Sequence, residues 1–535
     1  MTENSYSGSL HTVGRWTTDR ALATPHRVAI DDRGVVLTYS VLDARAQALA
    51  DSLLAAGCAV GDRIATLTGN SSDHVVLFFA CAKAGLVLVP LSWRLTPREL
   101  GAQLDQCDPV LFLIDDEFST LGEKAAASAA RPVPLGPLGD AGVERSVPAL
   151  LRPARGAVAH RAVRDEDALM IVFTSGTEAS AKGVILTHAN CFWTNLALSR
   201  TAELTSADVV LAVMPQYHVG GWNIQPLLAW WVGATVVLER TFDPGRVLQL
   251  IRDRRITTMM GVPANYLFLA EHPAFGRADL SSLRHAIVGG APMPEPLLRL
   301  WHERGVRLMQ GYGLTEAAPN VLCLPSDEAE ERSGMAGKAY PHVAVALRDP
   351  ASGQVVEGSG VGELVVSGPT VFLGYFRNQE ATDRALRAGW LHTGDLAERD
   401  EEGYYRIVGR IKDIYISGGE SVSPAEVENV LFEHPAVADA AVVGVPSERW
   451  GETGVAFVVK RPGQEVSDTQ LIAWSQDQLA RFKAPSAVRF VEVIPRTASA
   501  KILRSQLQER WREESEVAAL AAGSRSGSFD QGQGR

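Results

Sequence analysis

Segments with the apolar spacing of amphipathic helices alternate with short apolar segments along the first half of the chain, and this alternation limits the possible folds most strongly. Helical spacing runs from Thr38 to Leu54, with Thr38 or Ser40 as the candidate cap, and again from Ser72 to Ala84. Segments typical of buried strands lie at residues 61–67, 85–90, 209–213, 234–238, 257–261 and 285–288. Strands that alternate with helices predict an α/β fold with mostly parallel sheets.

The sequence pattern changes near residue 340, and a chain of 535 residues is long enough for two to four domains or subdomains. Short strand patterns with Gly and Asp turns lie at residues 343–348, 362–366 and 403–408. A compact α+β pattern follows, with helices at 424–431 and 468–479 and strands at 438–445 and 454–459. We predict a large N-terminal domain over residues 1–410 with two α/β subdomains and a β-rich subdomain, a small α+β domain over 411–515, and a disordered tail over 516–535.

Charge and cysteine usage exclude several classes of protein. The net charge of −11 argues against general nucleic-acid binding, which needs a basic face. Five cysteines without a C-x-x-C pair fit free thiols in a reduced cytosol better than a disulfide framework or a zinc site. Neither a signal peptide nor a transmembrane segment is predicted. Residues 209–238 lack Asp, Glu, Lys and Arg, but prolines and glycines interrupt them, which favours buried strand, loop and helix.

The segment 173–183, FTSGTEASAKG, follows the apolar segment 168–173 and predicts a strand that leads into a phosphate-binding loop. It is not a Walker A loop, because Ala181 occupies the position of the second glycine. Thr174, Ser175, Thr177 and the loop amides can donate to phosphate oxygens. A flexible Ser/Gly surface turn is the alternative interpretation.

Six stretches, in this order, resemble the adenylate-forming enzymes, a superfamily that includes acyl-CoA synthetases, aryl-CoA ligases, firefly luciferase and peptide-synthetase adenylation domains. The resemblance covers roughly residues 15–510 and rests on residues 173–183, 214–221 (MPQYHVGG), 288–293 (VGGAPM), 310–319 (QGYGLTEAAP), 389–428 and 495–504 (PRTASAKILR). It implies that ATP activates a carboxylate, with Mg²⁺ as the metal, and that a small C-terminal domain is mobile. The chain most resembles stand-alone ligases that join a fatty or aromatic acid to CoA.

The resemblance also implies which residues bind ATP. Thr315 would contact the α-phosphate, Glu316 would bind Mg²⁺, and Asp395 and Arg410 would hold the ribose. The other implied nucleotide-binding residues are Thr174, Ser175, Gly176, Thr177, Lys182, Gly290, Ala291, Pro292, Gln310, Gly311, Tyr312 and Gly313.

Further roles concern the acid, CoA and the hinge. By resemblance Lys501 reaches the substrate carboxylate and α-phosphate, Lys412 is the hinge, and Gly418 and Gly419 line the pantetheine channel. His218 would lie where the acyl pocket meets that channel. The other implied or candidate pocket residues are Trp222, Tyr266, Gly290, Met293, Gly313 and Pro319. Arg481 and Lys483 are candidates for the CoA phosphates, with a charged helix end as the alternative.

The predicted function is therefore that of an ATP-dependent carboxylic acid:CoA ligase, cytoplasmic, monomeric or homodimeric, acting on a small-molecule acid and CoA. Fatty, branched and aromatic acids all remain open. The chain departs from the family pattern at Glu178, Ala179, Ala181 and Ala500. These departures leave an alternative acceptor open, namely an amine, a carrier protein or a small inorganic nucleophile. A non-catalytic nucleotide-binding scaffold is the second alternative.

Overall fold

A computed structural model describes residues 11–138, 162–174, 181–291, 293–417, 420–447, 450–497 and 502–526, with the backbone alone at 285, 421 and 516–526. The chain divides into two compact units. The first comprises residues up to 293, 297–393 and 399–406, and the second comprises 294–296, 394–398 and the chain from 407 onward. The domain boundary predicted at 410 and the unit division at 406 lie in the same short segment.

The strands are numbered in chain order. They are β1 Val28–Asp32, β2 Val35–Thr38, β3 Arg63–Leu67, β4 Val87–Leu91, β5 Leu111–Ile114, β6 Leu135–Pro137, β7 Ala168–Thr174, β8 Lys182–Thr187, β9 Val209–Ala212, β10 Thr235–Leu238, β11 Thr258–Gly261, β12 His285–Gly289, β13 Leu308–Gly313, β14 Asn320–Leu324, β15 Lys338–Ala339, β16 Ala344–Arg348, β17 Gly360–Ser367, β18 Gly374–Tyr375, β19 Leu386–Arg387, β20 Trp390–Arg399, β21 Tyr405–Arg410, β22 Tyr415–Ser417, β23 Glu420–Val422, β24 Val437–Ser447, β25 Gly451–Lys460 and β26 Ala487–Phe490.

The helices follow the same convention. They are α1 Arg15–Ala23, α2 Tyr39–Ala55, α3 Ser72–Ala84, α4 Pro97–Cys107, α5 Ser119–Ser128, α6 His188–Ser199, α7 Gly220–Asn223, α8 Pro226–Val232, α9 Pro244–Asp253, α10 Pro263–Glu271, α11 Glu295–Glu303, α12 Gln379–Ala385, α13 Pro424–Phe432, α14 Asp468–Gln478 and α15 Arg504–Ser526.

Two large sheets form the α/β part of the first unit, and both are mainly parallel, as predicted. The nine-stranded sheet has the order β15-β14-β13-β12-β11-β9-β10-β1-β2, with antiparallel pairing only toward its edges. The seven-stranded sheet has the order β18-β8-β7-β4-β3-β5-β6, and only β8 runs against the others, pairing antiparallel with both β7 and β18. Three neighbouring strands of the larger sheet, β11, β12 and β13, have glycines at their carboxyl ends, where ligands bind in open α/β sheets.

Local signals explain the ends of the helices. The Thr38 hydroxyl caps α2 by accepting from the Val41 amide at 3.4 Å, which confirms one of the two candidate caps. Helix α3 begins and ends as predicted, between the Ser71 cap and Gly85, whose φ of 72° suits glycine. Residues 209–238 form β9, α7, α8 and β10, the predicted strand, loop and helix. In the described part of the chain, every helix is too short or too polar to cross a membrane.

The remaining sheets are smaller. One has the order β16-β17-β20-β19, with β21 beside β20, and corresponds to the predicted β-rich region. The second unit contains the order β23-β22-β25-β24, with β26 parallel to β25. Its apolar core includes Tyr415, Val442 and Val458. All five cysteines are free and buried.

Helix α15 runs through Ser526, past the start of the predicted disordered tail at residue 516. The segment 516–522, EVAALAA, has strong helix propensity, which the prediction of disorder underweighted. Residues 527–535 lie outside the described residues.

Candidate active site

The predicted phosphate loop connects two paired strands. β7 ends at Thr174 and β8 starts at Lys182, and these two residues face each other in the antiparallel register. The Thr174 hydroxyl donates to the Lys182 carbonyl oxygen at 3.4 Å. The loop is therefore closed at its base by a β-hairpin. Ser175, Gly176, Thr177, Glu178 and Ala179 lie outside the described residues.

Glu316 follows β13 on a short 3-10 turn over Thr315–Ala317 and is half-buried. The Tyr375 hydroxyl donates to its Oε1 at 2.9 Å. The Lys182 ammonium lies 5.4 Å from the centroid of the same tyrosine ring. Glu316 and Lys182, which were predicted from separate motifs, therefore both contact the side chain of Tyr375.

Glycines allow the backbone of the nucleotide-binding segment to approach its neighbours closely. Gly289 of β12 pairs with Gly311 of β13, and a Cβ on Gly289 would lie 2.9 Å from the Gly311 carbonyl oxygen. A Cβ on Gly313 would lie 1.8 Å from the Pro319 carbonyl oxygen. Side chains other than hydrogen therefore do not fit at Gly313.

The rest of this segment combines a left-handed glycine with a buried amide. Gly290 has a φ of +83°, a conformation that favours glycine. Within the described residues, the buried Nε2 of Gln310 has no hydrogen-bond partner. Tyr312 is half-buried at the end of β13, and Ala291 follows β12. Pro292 lies outside the described residues.

The second unit brings the two predicted ribose residues together. Asp395, on β20, is 4% exposed, and the Arg410 Nε lies 2.8 Å from its Oδ1. A buried carboxylate is stabilised when such a charge-assisted hydrogen bond is present. A carboxylate has about four lone-pair sites, so this type of group suits the recognition of hydroxyl groups.

The predicted acyl-pocket residues differ in their burial. His218 is half-buried, with its ring 4.6 Å from that of Tyr217. Trp222 is fully buried, donates its indole N–H to the Gln216 carbonyl oxygen at 2.6 Å and stacks on Phe78 at 4.6 Å. Trp222 would have to leave these contacts in order to line a pocket. Met293 and Tyr266 are also buried.

His74 packs edge-on against Trp222, at a ring-centroid distance of 5.1 Å. It contacts Thr66 Oγ1 and Gln216 Oε1, both at 3.1 Å. Burial lowers the pKa of His74 to about 4, so the ring is neutral near pH 7. This neutral network supports the 214–218 segment from within the core.

The predicted hinge residue Lys412 lies on an exposed 3-10 turn over Ile411–Asp413. Its neighbour Asp413 has Oδ2 3.5 Å from Nε of Arg504, the first residue of α15. Lys501, Gly418 and Gly419 lie outside the described residues. Lys483, one of the two candidates for the CoA phosphates, has Nζ 2.7 Å from Glu426 Oε1.

Two residues with several tertiary contacts, Tyr375 beside the candidate site and Arg504 in the second unit, were missed from the sequence. Tyr375 lies in an ordinary strand pattern, and its only signal was a preceding glycine in GYF. Arg504 closes the PRTASAKILR stretch but carries no role in the sequence argument. It donates to both Glu428 oxygens and, at 2.8 Å, to the Val442 carbonyl oxygen.

Comparison with known proteins places this geometry among nucleotide-dependent ligases. Residues 17–376 match the family described as AMP-binding enzyme, and residues 426–501 match the AMP-binding enzyme C-terminal domain. Feruloyl-CoA synthase from Amycolatopsis sp. is 40% identical over 93% of this chain and 99% of its own length. Indoleacetate–CoA ligase from Aromatoleum aromaticum is 34% identical over 93% of this chain and 98% of its own length.

Solved structures show the same similarity. ATP-bound MatB from Rhodopseudomonas palustris matches with a TM-score of 0.85 at 32% identity, over 94% of this chain and 99% of that one. O-succinylbenzoate coenzyme A synthetase (MenE) from Bacillus subtilis, in complex with ATP and magnesium ion, matches with a TM-score of 0.81 at 30% identity, over 92% and 99% of the two chains.

Proposed function

The chain belongs to the AMP-binding enzyme family and is an AMP-forming acid–CoA ligase, and from this premise we propose that its substrate is an aromatic carboxylic acid. The two relatives described above, feruloyl-CoA synthase and indoleacetate–CoA ligase, support this choice, because both are named for aryl-substituted acids and match nearly the whole chain. The proposal selects one of the three classes of acid (fatty, branched and aromatic) that the sequence leaves open.

The reaction has two steps. A carboxylate oxygen attacks the α-phosphorus of ATP, the bond to the leaving pyrophosphate breaks, and a mixed anhydride with AMP forms. The CoA sulfur then attacks the acyl carbon, AMP leaves with the bonding electrons, and the thiol proton is released. Adenylation is needed because a free carboxylate is anionic and has no good leaving group.

One observation carries the assignment of the first step to named residues: Lys182 and Glu316 both contact Tyr375. In this proposal Lys182 and the loop residues Thr174, Ser175, Gly176 and Thr177 bind the β- and γ-phosphates. Thr315 contacts the α-phosphate. The adenine site would be formed by Gly290, Ala291, Pro292, Gln310, Gly311, Tyr312 and Gly313. The unpartnered Gln310 amide supports this placement, because a bound nucleotide would supply an acceptor.

Mg²⁺ fits the residues present. Among the described residues, no group of three or more His, Cys, Asp and Glu side chains could hold a metal ion by itself. Glu316 offers one carboxylate, and one or two carboxylates plus substrate phosphates is the usual Mg²⁺ arrangement. When bound, Mg²⁺ would offset phosphate charge as the α-phosphorus is attacked. Glu316 is the proposed protein ligand.

The second unit supplies the remaining roles in this proposal. Asp395 and Arg410 bind the ribose hydroxyls, and Lys501 stabilises charge at the reacting carboxylate and α-phosphate. Lys412 is the pivot, and Gly418 and Gly419 line the path of CoA. From the first unit, His218 is proposed for the acyl end of that path.

Other parts of the proposal concern CoA phosphates and location. Arg481 is the better candidate for a phosphate contact, since the Lys483 ammonium is engaged by Glu426. We place the enzyme in the cytoplasm, where ATP and CoA are available. The monomeric or homodimeric state stays a prediction.

An ATP–pyrophosphate exchange screen tests the substrate class. The panel contains substituted cinnamic acids, indoleacetic acid, 2-succinylbenzoic acid and straight-chain fatty acids, each with and without CoA. We expect the highest exchange kcat/KM with an aryl-substituted acid, and thioester formation only when CoA is added. Preference for a straight-chain fatty acid would contradict the aromatic assignment. Product formed with an amine or a holo carrier protein, but not with CoA, would favour the alternative acceptor.

A further inference from the structure

The segment Phe372–Phe376 connects the two parts of the proposed ATP site. The Phe372 amide donates to the Glu316 carbonyl oxygen at 2.8 Å. The Phe376 amide donates to the Gly183 carbonyl oxygen at 2.8 Å, and Tyr375 pairs with Val184 in the register of β18 and β8. One short segment is therefore hydrogen-bonded both to the turn that carries Glu316 and to the strand that begins with Lys182.

The side chain of Tyr375 contacts both charged groups through different atoms. Its hydroxyl donates to Glu316 Oε1 at 2.9 Å, a charge-assisted hydrogen bond. Its ring faces the Lys182 ammonium at 5.4 Å, within the range of a cation–π interaction. Tyrosine is suited to this, because the ring attracts a cation while the hydroxyl donates to an anion.

Neighbouring residues fix the orientation of Tyr375. Its amide donates to Thr382 Oγ1 at 2.9 Å, and its ring packs against Phe372 at 4.9 Å. Gly374 has a φ of +147°, and a Cβ there would lie 2.9 Å from Thr382 Cγ2. The tyrosine is therefore held at both its amide and its ring, and is preorganised for the groups it contacts.

We propose that Tyr375 is a positioning residue for Mg²⁺·ATP. Its hydroxyl fixes Oε1 of the Glu316 carboxylate, the group that would hold Mg²⁺, and its ring holds the Lys182 ammonium, which would offset the charge of the phosphates. Tyr375 contacts the Glu316 carboxylate and the Lys182 ammonium through different atoms. These contacts oppose direct pairing of the two charges, which would compete with their proposed roles toward Mg²⁺ and the phosphates. This inference rests on the roles of Glu316 and Lys182 in the proposed function.

Titration calorimetry of Tyr375→Phe tests the inference, since this change removes only the hydroxyl. We expect the Kd of ATP in the presence of Mg²⁺ to rise roughly ten-fold, the size expected for a lost hydrogen bond to a charged group. The Kd of ATP in EDTA, and that of AMP, should change less than about two-fold. Tyr375→Leu also removes the ring, and should weaken ATP binding in EDTA as well.

Tyr404→Phe is the matched control. The Tyr404 hydroxyl donates to Glu328 Oε2 at 2.9 Å, a hydrogen bond of the same kind in the same unit, outside the proposed site. Tyr404→Phe should bind Mg²⁺·ATP like the wild type. Wild-type affinity of Tyr375→Phe for Mg²⁺·ATP would overturn the inference, and so would equal losses for Mg²⁺·ATP and AMP, which indicate a purely structural role.

Two further measurements keep the test decisive. If Tyr375→Phe fails to fold, two other variants are used in its place: Glu316→Gln, and Tyr375→Trp, which keeps an aromatic ring. Tyr375→Trp should weaken the Mg²⁺-dependent binding of ATP, and the double variant with Glu316→Gln should bind no more weakly than Glu316→Gln alone. Additive losses in the double variant would overturn the inference. Absence of Mg²⁺·ATP binding by the wild type would instead contradict the proposed function.

Discussion

The Nε of Arg410 lies 2.8 Å from Oδ1 of Asp395, a carboxylate that is only 4% exposed. Arg410 offsets the cost of burying this charge and fixes the carboxylate plane. Such an arrangement suits the recognition of two neighbouring hydroxyl groups, because the acceptor oxygens are held in place before the ligand arrives.

Asp395→Asn should raise the KM for ATP by roughly 10- to 100-fold, since a hydrogen bond to a charged group is worth about 1.5–3 kcal/mol. The comparison of ATP with 2′,3′-dideoxy-ATP in pyrophosphate exchange isolates the ribose contact. The wild type should discriminate strongly between them, and the variant weakly. Asp208→Asn, which breaks the pair with Arg284 at 2.8 Å, controls for general loss of stability. Undiminished discrimination by Asp395→Asn would exclude the ribose role.

Lys501→Ala should slow adenylation by roughly 10²- to 10³-fold, the usual cost of removing one group that stabilises developing charge. Thioester formation from a supplied acyl-AMP should be far less affected, because the phosphoanhydride of ATP is no longer present. Lys460→Ala, at an ammonium 3.6 Å from Glu465 on the same unit, is the control. Equal losses in the two half-reactions would show that Lys501 does not act in the adenylation step.

Arg504→Met should destabilise the second unit by roughly 3–5 kcal/mol, because it leaves the 9%-exposed side chain of Glu428 buried without its partner. Urea unfolding together with hydrogen exchange at β24 and β25 measures this effect. Arg512→Met removes an ion pair with Glu509 in which both side chains are more than half exposed, and should change stability by less than about 1 kcal/mol. A similar small effect of Arg504→Met would contradict the buried-pair interpretation.

Trp222→Ala should destabilise the first unit by roughly 3–5 kcal/mol, since it empties a fully buried site between Phe78 and His74. Because the indole is held in the core, the ratio of kcat/KM between a long-chain and an aromatic acid should shift by less than about five-fold, or 1 kcal/mol. Trp222→Phe keeps the stacking and provides the milder variant. A large gain in long-chain activity without loss of stability would restore Trp222 as a pocket residue.

Local patterns were sufficient to predict many elements of the fold. Helix α3 is bounded by a serine cap and a glycine, so its ends follow from neighbouring residues alone. The buried strands β9 to β12 were also recognisable, because consecutive apolar residues are typical of strands covered on both faces. The two-residue strand β18 was not, since its pairing depends on β8, which is far away in the sequence.

The contacts of the candidate site depend on tertiary structure. Tyr375 and Glu316 are 59 residues apart, and Arg504 and Glu428 are 76 residues apart. Motif spacing gives the types of residue that the chemistry requires, but it does not say which side chains hold them in place. The contacts of Tyr375 and Arg504 therefore follow from the folded structure and not from the sequence pattern.

The buried cysteines have a consequence for the chemistry of the product. Burial raises the pKa of Cys107 and Cys191 to about 12 and that of Cys323 to about 11, and it also raises that of Cys81. Since the thiolate is the nucleophile, these sulfur atoms stay unreactive near neutral pH. An acyl-adenylate is an acylating agent for any accessible thiolate. These four thiols are therefore poor targets for the intermediate, in contrast to the sulfur that CoA brings.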